Sequence, residues 1–354
     1  MKPVRIGLVG TGGISNAHML GYAKLAEEGK VELVAACDLN VPRAEAWAKK
    51  YGFREVYGNH REMLEKSDLD AISVCTWNNG HASITIDALR AGKHVLCEKP
   101  PAMTVAEAEA MQKAEAESGK TLMIGFVRRF GRNAELVLDF FNNGFFGDIN
   151  FSKIAVTRRC GCPLGWFANS KLSGGGPLID NGVHLIDLVR YLTGKPLAVS
   201  CYASTYDNMG SRTHVKGIDR YASVDPSSFS DVEDLAVGMV KFEGGMTMSL
   251  EFSYSQEIEE GVVGVEIYGS KGGAVVEPHL TLMTEMNGYL VNIKPQIDVP
   301  PFEKVFEAEI RHFVDCARGE TECRNRIDDG IELMRIITSM YESAKTGREV
   351  AIRR

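Results

Sequence analysis

The sequence lacks most of the features that assign a chain to a function class at sight. No apolar run approaches the roughly 20 residues that cross a bilayer, so no membrane partner is expected. Positive charge is not in excess: 40 Lys and Arg stand against 47 Asp and Glu, for a formal net charge of -7. The basic residues are scattered, which leaves no field to attract a phosphate backbone, and nucleic acid is not an expected partner. There is no internal repeat and no Pro- or Ser-rich linker. The first strand-like run, Val4 to Val9, begins almost at Met1 and leaves no room for a secretory leader, so a cytoplasmic location is expected. Paired cysteines are also missing. Cys37, Cys75, Cys97, Cys201, Cys316 and Cys323 are isolated, as free thiols in a reducing compartment would be. Cys160 and Cys162 form the one close pair, and a metal site would need two further Cys or His ligands at matching spacing. None is found, and no metal is expected.

What is present is ordinary globular composition over 354 residues, 44% hydrophobic and 25% charged, enough for two packed domains. Residues 1–125 alternate short β-branched runs with longer amphipathic ones, which reads as βαβ units around a parallel sheet. Strands are expected at Val4 to Val9, Val31 to Cys37, Ala71 to Cys75, His94 to Cys97 and Thr121 to Ile124. Helices fall between them at Ile14 to Glu28, Pro42 to Tyr51, Gly80 to Ala91 and Thr104 to Ser118, the last opened by a capping-box spacing of Thr104 and Glu107. In residues 126–354 a period of two takes over, at Asn150 to Arg158, Ala198 to Thr205, Asp231 to Phe242, Met246 to Tyr254 and Val262 to Tyr268. A mostly antiparallel sheet follows, with helices near Asn133 to Asn142, Leu178 to Leu192, Val305 to Arg318 and Asp328 to Lys345. The expected fold is therefore α/β, with a parallel-sheet domain at 1–125 and a second domain of helices and a mostly antiparallel sheet at 126–354.

The stretch Gly10-Thr11-Gly12-Gly13-Ile14-Ser15 joins the first strand to the first helix. Gly10 suits the tight turn and Gly12 the close approach of backbone to a pyrophosphate, while Gly13 and Ile14 open a helix whose amides and dipole favour an anion. Ser15 stands where a third Gly is usual. Asp38 ends the second strand, near the position of the acidic group that accepts from ribose hydroxyls. NAD is the expected cofactor, with NADP disfavoured because none of the four residues after Asp38 is Arg; Arg43 is the nearest cation that would counter this.

Two further motifs lie where chemistry is expected. Glu98-Lys99-Pro100 follows the strand His94 to Cys97 at its carboxyl end, where open α/β sheets bind ligands. Gly174-Gly175-Gly176-Pro177 leads into a helix that sets Asp180 and His184 four residues apart on one face, with Asp187 one turn on. An ordinary imidazole pKa near 6.5 leaves a His mostly neutral at physiological pH, which suits His184 as a base for an alcohol proton. A Lys cation suits a developing alkoxide, and the two roles exchange if burial beside another cation depresses the Lys99 pKa.

Together the Gly10 to Ser15 loop, Thr76 to His81, Glu98-Lys99-Pro100, Gly125 to Phe130 and Gly174 to Asp187 resemble the glucose-fructose oxidoreductase, inositol dehydrogenase and MocA family. The resemblance spans both domains and implies a dinucleotide-binding Rossmann domain followed by an α+β domain with a large, mostly antiparallel open sheet. It implies that Lys99, Asp180 and His184 surround the substrate hydroxyl, and that Thr76, Asn78, His81, Glu98 and Arg128 line the cofactor. Trp77 stands where the family usually has Pro. It further implies a homo-oligomer formed through the second domain's sheet.

Arg158-Arg159-Cys160-Gly161-Cys162-Pro163-Leu164-Gly165-Trp166-Phe167 precedes the glycine run. Arg158 as a donor and Trp166 as an apolar face suit a polyhydroxylated ring. Similar segments in the family favour sugars and glycosides, with oxidation at pyranose C3 one outcome. A redox-neutral glycosidase or epimerase that recycles its NAD would show the same constellation. A cofactor-binding sensor would not need Lys99, Asp180 and His184 together.

Overall fold

The computed structural model describes residues 2–217 and 229–354. They form two compact units, one of Met1–Phe130 with Pro300–Ile331 and one of Gly131–Val299 with Glu332–Arg354.

In the first unit six strands pair in parallel: β1 Val4–Val9, β2 Val31–Cys37, β3 Glu55–Tyr57, β4 Ala71–Val74, β5 His94–Cys97 and β6 Leu122–Ile124. Their order is β3-β2-β1-β4-β5-β6. Ile6, Leu8, Ile72, Val74, Val95 and Leu96 are fully or almost fully buried, as expected of parallel strands covered on both faces. The order reverses between β1 and β4, so the loops after these two strands open on a switch point, where such sheets bind ligands. The helices Gly13–Glu27, Val41–Tyr51, Asn78–Arg90 and Val105–Ser118 fall close to their expected places. Both halves of the Thr104 and Glu107 capping box are made. β3 and the helix His60–Lys66 are additions to the expected elements.

The helix Glu303–Ala317, expected from chain order to belong with residues 126–354, is part of this first unit. Its Val305, Ile310, Phe313 and Val314 join Met19, Tyr22 and Leu25 in one apolar core. Each such burial contributes about 1.5–3 kcal/mol, more than any local preference that would hold the helix elsewhere.

In the second unit nine described strands form one sheet: β7 Ile149–Thr157, β8 Ala198–Tyr206, β9 Leu235–Phe242, β10 Thr247–Ser253, β11 Val262–Gly269, β12 Gly272–Glu277, β13 Thr281–Met286, β14 Tyr289–Ile293 and β15 Val350–Ala351. Their order is β14-β13-β12-β11-β7-β10-β9-β8-β15, with β7 and β10 parallel and the other neighbouring pairs antiparallel. The period of two sorts its faces. Met248, Leu250 and Phe252 of β10 are buried, and helix Val183–Leu192 packs on this sheet with Leu185, Ile186, Leu188 and Val189 inward. On the other face Tyr202 pairs with Met239 across β8 and β9, and both are about half exposed.

Candidate active site

The loop after β1 is shaped by what it cannot hold. Gly10 has φ +95°, and a Cβ there would lie 2.5 Å from the Cys75 carbonyl oxygen. Gly12 has nothing within 4 Å of the same position, which leaves the backbone open to an approaching group. Gly13 and Ile14 begin helix Gly13–Glu27, whose first turn carries no side-chain cap and no acidic residue. Its amide donors therefore suit an anion. Ser15, in place of the third Gly, is buried and donates to the Gly12 carbonyl at 2.6 Å.

Asp38 follows β2 and is almost fully buried. Its carboxylate accepts from Thr11 N at 2.8 Å, Thr11 Oγ1 at 3.0 Å, Asn40 N at 2.9 Å and Arg43 Nη2 at 2.8 Å. Burial alone would raise its pKa, but Arg43 and the two backbone amides outweigh it and hold the carboxyl below its usual range. Asn40, not Asp38, caps the next helix. This loop and its acidic neighbour fit an adenine dinucleotide, with pyrophosphate at the helix end and ribose near Asp38.

Beyond β4, Thr76 lies just before helix Asn78–Arg90, Asn78 begins it and His81 is buried on it. The His81 ring lies between two carbonyls, with Nδ1 2.7 Å from Pro100 and Nε2 3.1 Å from Thr76. Burial lowers its pKa against the opposing pull of the two carbonyls, and a neutral ring, with one N–H, donates to only one of them at a time. Lys99 is half-buried at a cis peptide bond to Pro100, and its backbone N–H donates to Glu98 Oε2 at 3.1 Å. The other Glu98 oxygen is 2.8 Å from His18 Nε2. Behind it, Ser73 Oγ is 3.2 Å from His18 Nδ1 and shares a 2.7 Å hydrogen bond with Tyr22. Burial would raise the Glu98 pKa, but the His18 bond and charge lower it further. Sequence reasoning missed His18, Ser73 and Tyr22, which lie up to 80 residues from Glu98. Arg128, half-buried in the turn Val127–Phe130, stacks its guanidinium 5.7 Å from the Phe302 ring centre.

The second unit carries the other predicted residues. Leu178–Gly182 is a π-helical turn that runs into helix Val183–Leu192, so the single helix expected from Leu178 is wider in its first turn. Such turns recur at functional sites. Asp180 and His184 are half-buried, whereas Asp187 is fully buried. Tyr254, which follows β10, donates its hydroxyl to Asp180 Oδ2 at 3.0 Å. Arg158 Nη2 donates to Asn181 Oδ1 at 3.3 Å, and Asn181 Nδ2 lies 3.4 Å from Asp180 Oδ2. Arg158 is thereby brought to the Asp180 segment. Trp166 stacks on Phe167 with ring centres 3.9 Å apart, and Phe167 packs against a small core of Cys162, Ala168, Val232 and Tyr254. Cys162 is therefore a packed thiol, pushed up to about 12 by burial. Tyr254 and Asn181 are neighbours of Asp180 that sequence reasoning did not single out.

Residues 4–126 match the model of the oxidoreductase family with an NAD-binding Rossmann fold, and residues 136–275 match the GFO/IDH/MocA C-terminal domain. The chain belongs to this family of NAD-binding oxidoreductases. It is 33% identical to D-glucoside 3-dehydrogenase of Escherichia coli over 99% of this chain and 98% of that one. It is 29% identical to levoglucosan dehydrogenase of Pseudarthrobacter phenanthrenivorans over 78% of this chain and 74% of that one. Among solved structures, an oxidoreductase domain protein from Kribbella flavida superposes with a TM-score of 0.86 at 25% identity, covering 100% of both chains. Levoglucosan dehydrogenase in complex with NADH shares the fold, with a TM-score of 0.84 at 23% identity over 99% of this chain and 100% of that one. No described helix is long and apolar enough to cross a membrane.

Proposed function

We propose that the chain oxidises a secondary hydroxyl of a sugar, glycoside or cyclic polyol, with C3 of a glucopyranoside the first candidate carbon. The observation that carries this reading is the Asp180 carboxylate held by Tyr254, with Asn181 linking it to Arg158. An oriented carboxylate, an amide and a guanidinium supply acceptors and donors for neighbouring ring hydroxyls. The 33% identity to a D-glucoside 3-dehydrogenase along the whole chain supports the same choice of substrate.

NAD+, when bound, accepts the hydride from the alcohol carbon. The protein must take the hydroxyl proton in the same step, which requires a base within about 3 Å of the oxygen. His184 is assigned that role, Asp180 orients the hydroxyl or the imidazole, and Lys99 stabilises the developing alkoxide as a cation. Trp166 is assigned to the apolar face of the ring. Asp38 is assigned to the ribose hydroxyls and favours NAD over NADP. The half-exposed Tyr202 and Met239 on the open sheet support a homo-oligomer through that face, testable by light scattering after gel filtration.

The test is a panel of methyl glucosides, levoglucosan and inositols with NAD+, read as NADH formed. Stoichiometric NADH with one of these substrates is expected. Substrate conversion without NADH release would replace the reading by a redox-neutral cycle. In His184→Ala, kcat on that substrate should fall by roughly 10² to 10⁴ with NAD affinity nearly unchanged. Near wild-type kcat in that variant removes His184 as the base.

A further inference from the structure

The run Gly174-Gly175-Gly176 precedes the Asp180 segment, and the second unit shows what it makes room for. A Cβ at Gly175 would overlap the Tyr341 hydroxyl, and one at Gly176 would overlap the Glu233 carbonyl and come within 3.0 Å of its carboxyl carbon. The space at Gly175 is filled by Tyr341 and that at Gly176 by Glu233, whose side chain is buried. Its Oε2 accepts from Gly176 N at 2.8 Å, and its Oε1 accepts from Leu178 N at 3.1 Å and from the Tyr341 hydroxyl at 2.9 Å.

Those two amides lie at the start of the π-helical turn, where backbone donors have no partner within the helix. The turn has no cap of its own, since Pro177 before it and Gly182 within it make no side-chain cap hydrogen bond. A residue far along the chain therefore does what a local Ser, Thr or Asp usually does. The next residue closes a second connection. The Asp234 carbonyl accepts from Tyr254 N at 2.8 Å, and the Tyr254 hydroxyl donates to Asp180. Glu233 and Asp234 thus grip the same short segment from its beginning and from its carboxylate.

We propose that Glu233, held by Tyr341, is a positioning residue of the active site: it fixes the first turn of the segment that carries Asp180 and His184, and so their aim at the substrate hydroxyl. The proposal rests on the assignment of Asp180 and His184 to the chemistry. Release of the first turn would shift Asp180, which lies two residues beyond Leu178, and His184, which lies one turn further, and a displacement of about 1 Å at reacting groups costs up to roughly 10² in rate.

The experiment uses the full chain with NAD+ and the best substrate of the panel. Glu233→Gln keeps one acceptor oxygen but turns an NH2 group toward a backbone donor. It is expected to lower kcat by roughly 10- to 10²-fold while KM for NAD+ stays within about twofold. Tyr341→Phe leaves both amides capped and removes one hydrogen bond to the carboxylate, with an expected loss of roughly 3- to 10-fold. In Glu233→Gln, hydrogen exchange at the Gly176 and Leu178 amides should accelerate. If Glu233→Gln does not fold, Tyr341→Phe decides alone. Wild-type kcat in both variants, with His184→Ala inactive, overturns the positioning role and leaves the catalytic assignment standing. Wild-type kcat in His184→Ala overturns the assignment on which the proposal rests.

Discussion

If Asp38 meets the ribose as proposed, cofactor choice turns on that carboxylate and the cation beside it. An ionised carboxylate offers about four lone-pair sites, and Asp38 already meets Thr11 N, Thr11 Oγ1, Asn40 N and the Arg43 guanidinium. A ribose hydroxyl must therefore displace Arg43 or the Thr11 hydroxyl to reach it. Arg43 is five residues beyond Asp38 and its side chain is 26% exposed, so it is also the group positioned to meet a 2′-phosphate. In Asp38→Ala the acceptor for the ribose is lost, worth about 1.5–3 kcal/mol for a charge-assisted hydrogen bond. The freed guanidinium gains a similar amount against a phosphate. Because Arg43 is partly solvated and screened by salt, the lower end of each range applies, about 3 kcal/mol together, or roughly 10²-fold in the ratio of kcat/KM for NAD to that for NADP. Arg43→Ala should move the ratio the other way by roughly tenfold. The assay is initial rates with each cofactor at matched substrate, with melting curves to confirm the fold. A ratio in Asp38→Ala within about threefold of wild type refutes the reasoning, because the carboxylate would then not discriminate the two cofactors.

Trp166→Ala should raise KM for the best sugar by an amount equivalent to about 1 kcal/mol and leave NAD binding unchanged; an unaltered sugar KM returns the stacked pair with Phe167 to a packing role. Gly10→Ala places a Cβ against the Cys75 carbonyl at a positive φ, so a loss above about 1 kcal/mol and weaker NADH binding are expected, and a wild-type Tm contradicts it. Glu309 is fully buried with no hydrogen-bond partner for either carboxyl oxygen among the described residues, and burial, then the Glu98 charge, raises its pKa well above the usual range. A raised folded pKa means that its stability is fully present below the unfolded carboxyl pKa and is lost as pH rises toward the folded one. Glu309→Met should therefore be more stable than wild type by about 1–3 kcal/mol, with the larger gain at about pH 8 than at about pH 5 in urea melts; a constant or reversed difference excludes this.

The parallel sheet of the first unit could be read because buried parallel strands appear as unbroken apolar runs, and the helices between them are long enough to show a period. β3, with three residues, and helix His60–Lys66, with seven, are too short for either signal. The hairpin of β13 and β14 did leave a mark. Asn287 and Gly288 have φ values of 55° and 82°, the pair of positive angles that an Asn-Gly turn adopts between two strands. The helix Glu303–Ala317 was visible as a helix, but its apolar stripe does not say which of two cores it enters. That is settled only by the complementary side chains of helix Gly13–Glu27, nearly 300 residues earlier in the chain.

The two sets of candidate residues, one in each unit, differed in the same way. The cofactor loop is continuous in sequence, and Asp38 follows it at a known spacing, so geometry and order coincide. Asp180 and His184 were visible as a pair, but groups that hold their segment are remote: Tyr254 is 74 residues from Asp180, and Glu233 is 57 from Gly176. Tyr341 is a further 108 residues from Glu233. No periodicity links such positions, because the contacts depend on the register of the sheet between β9 and β10 rather than on spacing along the chain. What the chain does record locally is the space they need. A remote side chain that caps a helix from outside requires its amides to be reachable, and a Cβ at Gly175 or Gly176 would block that approach. The glycine run is therefore the imprint of Glu233 and Tyr341 on a part of the sequence that contains neither. Restoring a Cβ there, as in Gly176→Ala, should impair the Asp180 segment as removal of the Glu233 carboxylate does, since either change separates the same carboxylate from the same amides.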